Sequence, residues 1–196
     1  VALGDLACNS GPNQIRAGAC GAVQFLAATL RRFAADAEMQ GAGVVAVANL
    51  LSVPSSSRRV LYEQILDENC SELVWSGIRR FPDDIDLVAW GAMAMANLLD
   101  VRKHTEGNRG AIIDGQEVAA HVLGNMVKFD GHTEALTWST FLLGSLAGRS
   151  AEMPGVGDFI VANKGVELIS AAKVKFPGEA ELNSRCRAAL DLLKNR

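Results

Sequence analysis

From Ile85 to Leu99 the chain is apolar at nearly every position, interrupted only by Asp86, Gly91 and Asn97. Pro82-Asp83-Asp84 precedes this run. Proline is excluded from helix interiors, and aspartate caps a helix start while complementing its positive end, so the tripeptide both breaks and restarts the chain. The pattern predicts a long helix over Ile85–Leu99, a helix over Glu68–Phe81 before the break, and a shorter one over Arg59–Leu66. Turn residues fall in the same place in later stretches, at Asp130-Gly131 and at Pro177-Gly178. No β-type alternation lasts long enough to argue for a sheet, so the fold class is all-α.

This three-helix pattern recurs. Arg32-Phe33, Arg80-Phe81, Lys128-Phe129 and Lys175-Phe176 follow one another at spacings of 48, 48 and 47 residues. Ala48-Asn49-Leu50-Leu51 returns 48 residues later as Ala96-Asn97-Leu98-Leu99, and again as Gly144-Ser145-Leu146. The acids Glu38, Asp86, Glu134 and Glu181 keep the same phase, as do Trp90 and Trp138. Several sets in one phase define a helical repeat, in which each unit buries its apolar face against its neighbours. The expected organisation is a single array: residues 1–9 as the tail of a preceding repeat, then repeats over 10–52, 53–101, 102–149 and 150–196. Val1–Ala7 matches the end of a third helix, and a lone helix end cannot bury its face. Further repeats upstream or a capping turn are the two expectations for it. Linkers are expected over 52–57, 100–107 and 148–157; the last, with Met153-Pro154-Gly155, is the expected mobile loop.

Helix triplets ending in Ala-Asn-Leu-Leu, a polar turn, and a stretch such as Asn108-Arg109-Gly110-Ala111-Ile112-Ile113-Asp114-Gly115 resemble armadillo repeats. The opening Ala2-Leu3-Gly4-Asp5-Leu6-Ala7-Cys8-Asn9-Ser10, continuing through Asn13-Gln14-Ile15-Arg16, is similar to a junction between two such units. The resemblance covers essentially the whole chain, although its units are longer than usual and HEAT-like repeats stay open. It implies a right-handed α-α superhelix of about four three-helix repeats. It also implies a concave groove lined by the third helices, where an Asn on each bonds the backbone of an extended ligand. That role carries over to Asn49 and Asn97, and more weakly to Asp5 and Ser145. Import receptors of the family place a groove Trp one turn before the Asn; here it lies two turns before, which weakens a nuclear-localisation-signal reading.

Helix geometry adds neighbours on the same face, since positions three, four and seven apart lie together. Stepping back from Asn97 reaches Met93 and Trp90, and from Ser145 reaches Phe141 and Trp138. These residues form a candidate aromatic and amide patch, with burial of both tryptophans between helices as the competing reading. Asp86 and Glu134 are candidate contacts for basic ligand residues, against the simpler reading that they complement a helix N-terminus. Basic residues at second-helix ends complement the opposite pole, and the repeated Phe reads as a core anchor.

Composition narrows the function classes. The hydrophobic content of 49% is ample for a core, and a formal charge of −3 lacks the basic balance of a nucleic-acid binder. No apolar run is long enough for a membrane span, and no signal peptide is evident. Cys8, Cys20, Cys70 and Cys186 show no metal or disulfide spacing, so buried thiols in a reducing compartment are expected, with the cytoplasm as default location. His104, His121 and His132 fit no metal motif, and no nucleophile–base set or phosphate loop is present. The expected function is non-enzymatic and cofactor-free: a scaffold binding an extended segment of a protein partner. A structural spacer, self-associating end to end or regulating a larger protein, is the alternative.

Overall fold

The computed structural model describes residues 2–52, 59–101, 113–149 and 151–194, with the side chains of Ala2, Leu3 and Arg59 left aside. The expected linkers over 53–57 and 102–107, His104, and the Asn108–Ile112 part of the armadillo-like stretch lie outside these residues. All regular structure among the described residues is helical. Two units are defined, Val1–Ile112 and Ile113–Arg196.

The first unit contains α1 (Ala2–Ala7), α2 (Gly11–Ala19), α3 (Ala22–Arg32), α4 (Ala37–Leu50), α5 (Arg59–Asp67), α6 (Cys70–Arg80) and α7 (Ile85–Val101). Helices of like position stack on one another: α1 on α4 on α7, α2 on α5, and α3 on α6. The core forms where the long helices meet, through fully buried Val44, Val47, Leu50, Leu87, Val88 and Leu98. The second unit contains α8 (Gly115–Lys128), α9 (Thr133–Ala147), α10 (Val156–Ala162), α11 (Gly165–Lys175) and α12 (Ala180–Lys194). There α9 packs on α12, α8 on α9 and α11, and α10 against α8 and α9.

The turn before each long helix is built identically four times. The backbone N–H of Phe33, Phe81, Phe129 and Phe176 donates to the carbonyl four residues earlier, closing the shorter helix. Three residues on, the N–H of Asp36, Asp84, His132 or Glu179 donates back to the Phe carbonyl. Asp36 and Asp84 then cap the next helix, accepting from the N–H of Met39 at 3.1 Å and of Leu87 at 3.0 Å. Glu38, Asp86, Glu134 and Glu181 all lie in the first turns that follow. The Phe rings are less buried than a core anchor: Phe129 is buried at 9% exposure, but Phe33 is 36% exposed. Chain reversal leaves these rings at the edge, where the preceding cation of Phe33, Phe129 and Phe176 lies over the ring at 5.1–5.8 Å.

A second corner also repeats. Gly21, Asn69 and Lys164, at matching register, enter α3, α6 and α11 in the left-handed region, with φ of 76°, 51° and 64°. A Cβ is penalised there by roughly 1–2 kcal/mol, and asparagine tolerates it better than lysine. Lys164→Gly is therefore expected to stabilise the protein by about 1 kcal/mol, read as a higher urea midpoint; an unchanged or lower midpoint contradicts this.

Residues 148–157 were expected to form a mobile loop; their described part makes packing contacts. Arg149 is 3% exposed, its carbonyl accepts from the N–H groups of Glu152 and Met153, and Met153 and Val156 close on Gly115. One expectation, that of buried thiols, is corrected. The four thiols are free, as expected, yet only Cys70 and Cys186 are buried; Cys8 and Cys20 sit at exposed helix corners. Burial pushes the Cys70 thiol up to about 12, with Glu68 adding to the rise and Arg31 opposing it. Burial also raises the Cys186 thiol, with the nearby Thr140 side chain and the charge of Lys173 opposing the rise. A thiol raised in the folded state stabilises it fully below the unfolded value of about 8.5 and loses that contribution as pH climbs towards the folded value. Stability is thus expected to fall from about pH 9 upward, less steeply in Cys70→Ala. At neutral pH Cys8 and Cys20 should react with a thiol reagent while Cys70 and Cys186 wait for unfolding; four equally fast thiols would refute this.

Candidate functional site

The long helices α7 and α9 are buried on almost all sides, and that makes their remaining surface informative. On α7 the positions flanking the stripe, Val88, Ala89, Gly91, Ala92, Ala94, Met95, Ala96 and Leu98, are buried. Trp90, Met93 and Asn97 are half-buried, and Asp86 is exposed at the helix start. On α9 the same offsets recur: Glu134 is exposed, and Trp138, Phe141 and Ser145 are half-buried among buried neighbours. Each helix therefore presents one narrow stripe, spaced three, four and seven residues, containing the residues singled out from sequence. An apolar helix exposing aromatic and amide groups along a single line is a surface suited to contact rather than to solvent.

Asn49 is placed differently. It is 5% exposed, and its amide lies 3.5 Å from the point where a Cβ on Gly4 would stand, because α1 covers this part of α4. Asn97, one repeat on, donates from Nδ2 to the Ala48 carbonyl at 3.2 Å, tying α7 to α4. One of its amide hydrogens is thereby used within the stack. Asp86 and Glu134 remain exposed in their first turns, where they also complement the helix N-terminus.

In the second unit the stripe carries a feature not singled out from sequence. Trp138 and Phe141 meet edge to face with ring centres 6.1 Å apart. The guanidinium of Arg185, from α12, lies over both rings, 4.0 Å from the Phe141 centre and 5.6 Å from that of Trp138. Glu181, one turn earlier on α12, pairs with it at 3.4 Å. Arg185 follows Trp138 by 47 residues, the closing interval of the repeat, so it occupies the Trp slot of the fourth unit. That spacing was the signal that could have found it. Chemically, the group of two aromatic faces and one carboxylate is a cradle for a planar cation.

Among the described residues no cluster of three or more His, Cys, Asp and Glu is arranged to hold a metal, and no helix is long and apolar enough to cross a membrane. Comparison with known proteins finds no matching family model, no matching curated protein and no matching solved structure.

Proposed function

We propose that this chain is an armadillo-type repeat protein that acts as a non-enzymatic scaffold, binding an extended segment of a protein partner along the stripes of its third helices. The observation that carries the reading is the stripe itself: between Leu87 and Leu99 on α7, only Trp90, Met93 and Asn97 are not fully buried. The stacking of like helices within each unit and the four identical turns support a repeat architecture of this kind. An extended ligand suits a narrow stripe, because side chains of alternate residues can drop onto it while its backbone meets the remaining amide donor of Asn97.

In the second unit the cradle of Trp138, Phe141 and Glu181 is filled by the chain's own Arg185. An exposed acid stands at the start of each stripe, Asp86 on α7 and Glu134 on α9. A partner segment combining apolar residues with an arginine or lysine therefore fits either stripe better than an acidic one, at modest and salt-sensitive value.

Peptide-display selection on the intact chain, counter-screened against Trp90→Ala, tests the proposal. One extended motif is expected to enrich, with Trp90→Ala and Asp86→Lys each weakening it, the former at least tenfold. Selected peptides that bind Trp90→Ala as well as the parent protein would reject the stripe as the site.

A further inference from the structure

A close approach of α9 and α12 sets the position of Arg185. A Cβ on Gly144 would stand 3.2 Å from Ala189 Cβ and 3.4 Å from its Cα, so the two helices meet there with almost nothing between them. About one turn earlier on each helix come Phe141 and Arg185. Helix side chains lean towards the N-terminus, so these two are delivered into the space just before the close approach. The guanidinium lies over the Phe141 ring, 4.0 Å from its centre, and the Trp138 ring flanks it at 5.6 Å.

The acids around this cation outnumber it. Glu181 pairs with Arg185 at 3.4 Å from four residues earlier on α12, an exposed arrangement of small value. Glu134 stands four residues before Trp138 on α9; it is exposed and makes no ion pair among the described residues. One face of α9 thus carries an acid followed, four and seven residues on, by two rings, and Arg185 uses only the rings. The Arg185 side chain is 33% exposed, held by a stack and one long pair rather than by enclosure. Leaving the rings does not cost it Glu181, because both groups sit on α12. A guanidinium arriving from outside takes the rings and Glu134 together, which Arg185 does not.

We infer that Arg185 is a built-in competitor for the second-unit stripe: at rest it occupies the place of a ligand arginine over Trp138 and Phe141, and a partner segment enters by bringing an arginine that takes this place and pairs with Glu134. The inference rests on the stripe reading and adds a rule of selection to it. Arginine is favoured over lysine in this unit, since a planar guanidinium replaces Arg185 on the ring face whereas an ammonium does not stack. A segment without a cation meets a covered cradle. The self-contact also sets a threshold. A cation over two rings at a part-exposed site holds them roughly three-quarters to nine-tenths of the time, so clearing it raises the apparent affinity for another arginine about four- to tenfold.

The probe is the tripeptide amide acetyl-Gly-Arg-Gly, with acetyl-Gly-Lys-Gly beside it, titrated at fixed ionic strength into fluorotryptophan-labelled protein. The Trp138 resonance reports on the cradle, and buried Trp75 serves as the reference. In Arg185→Ala and in Arg185→Gln the arginine tripeptide should move Trp138 with a midpoint about four- to tenfold below that of the parent protein. The lysine tripeptide should bind these variants several-fold more weakly, and adding Glu134→Gln should reduce the arginine response by a similar factor. Arg185 is not a core position, and circular dichroism verifies that both variants fold. Equal midpoints in the parent and the variants overturn the inference. So does a weaker response in the variants, which would make Arg185 part of the binding surface, and so does a Trp138 resonance that stays in place in the variants throughout. Because the probe is a single arginine and needs no selected partner, failure here is separable from failure of the stripe, which the Trp90→Ala counter-screen decides.

Discussion

Gln14→Ala is expected to destabilise the protein by about 3 kcal/mol, the sum of a lost buried side chain and its lost hydrogen bonds to two buried helix-end carbonyls. Gln14 lies wholly inside the first unit, and its amide nitrogen serves two helix ends together. It donates to the Ala7 carbonyl at 2.8 Å and the Asn49 carbonyl at 2.8 Å, with Ser52 Oγ also at 3.0 Å. Carbonyls in the last turn of a helix have no intrahelical partner, and Gln14 joins the two ends, adding to the weaker bonds from the Ser10 N–H to Ala7 and from the Ser52 N–H and hydroxyl to Asn49. Gln14→Met keeps the volume but not the donor, and should recover about 1–2 kcal/mol of the loss. Urea unfolding of the two variants separates packing from hydrogen bonding. A loss below about 0.5 kcal/mol in Gln14→Ala, the level of an ordinary surface change, would show that the junction of α1, α2 and α4 does not rest on Gln14.

Gly165→Val carries a comparable cost, also about 3 kcal/mol, by the opposite mechanism of overfilling. Gly165 opens α11 immediately after the left-handed Lys164. A Cβ there would stand 2.7 Å from the Ile160 carbonyl oxygen and 2.4 Å from Ile160 Cγ2. The side chain could turn away, but the carbonyl belongs to α10 and cannot yield without shifting that helix. Hydrogen exchange should show the loss concentrated in α10 and α11, and Gly165→Ala should fall between the parent and Gly165→Val. Parental stability in Gly165→Val would mean that α10 can move aside freely, contrary to the packing described.

These two positions also mark where reading the sequence stops. The helix starts and the four turns were legible because capping and chain reversal are local: Pro82-Asp83-Asp84 and the basic-Phe pairs state them within a few residues. The stripe of Trp90, Met93 and Asn97 was legible because helix geometry fixes which residues share a line, whatever surrounds them. Gln14 was not, since its partners Asn49 and Ser52 are distant in sequence and a polar residue near a helix start looks solvated. The burial of Asn49 depends on α1 lying over α4, a matter of stacking that the match between Asn49 and Asn97 conceals. Cys8 and Cys20 are exposed because they fall at corners between helices, whereas free cysteine on composition alone favours the interior. Arg185 was hidden for a different reason: a shortened final interval put a cation where the pattern led one to look for tryptophan.

The central claim is that a partner segment lies on the third-helix stripe, and the three tryptophans report on it directly. Trp90 and Trp138 are half-buried on the stripes of α7 and α9, whereas Trp75 is 2% exposed inside the first unit. With fluorotryptophan incorporated, titration of a display-selected peptide is followed by fluorine NMR. The account predicts that the Trp90 resonance, the Trp138 resonance or both move to saturation while Trp75 stays in place. Saturation by the peptide with both stripe tryptophans unmoved would contradict it.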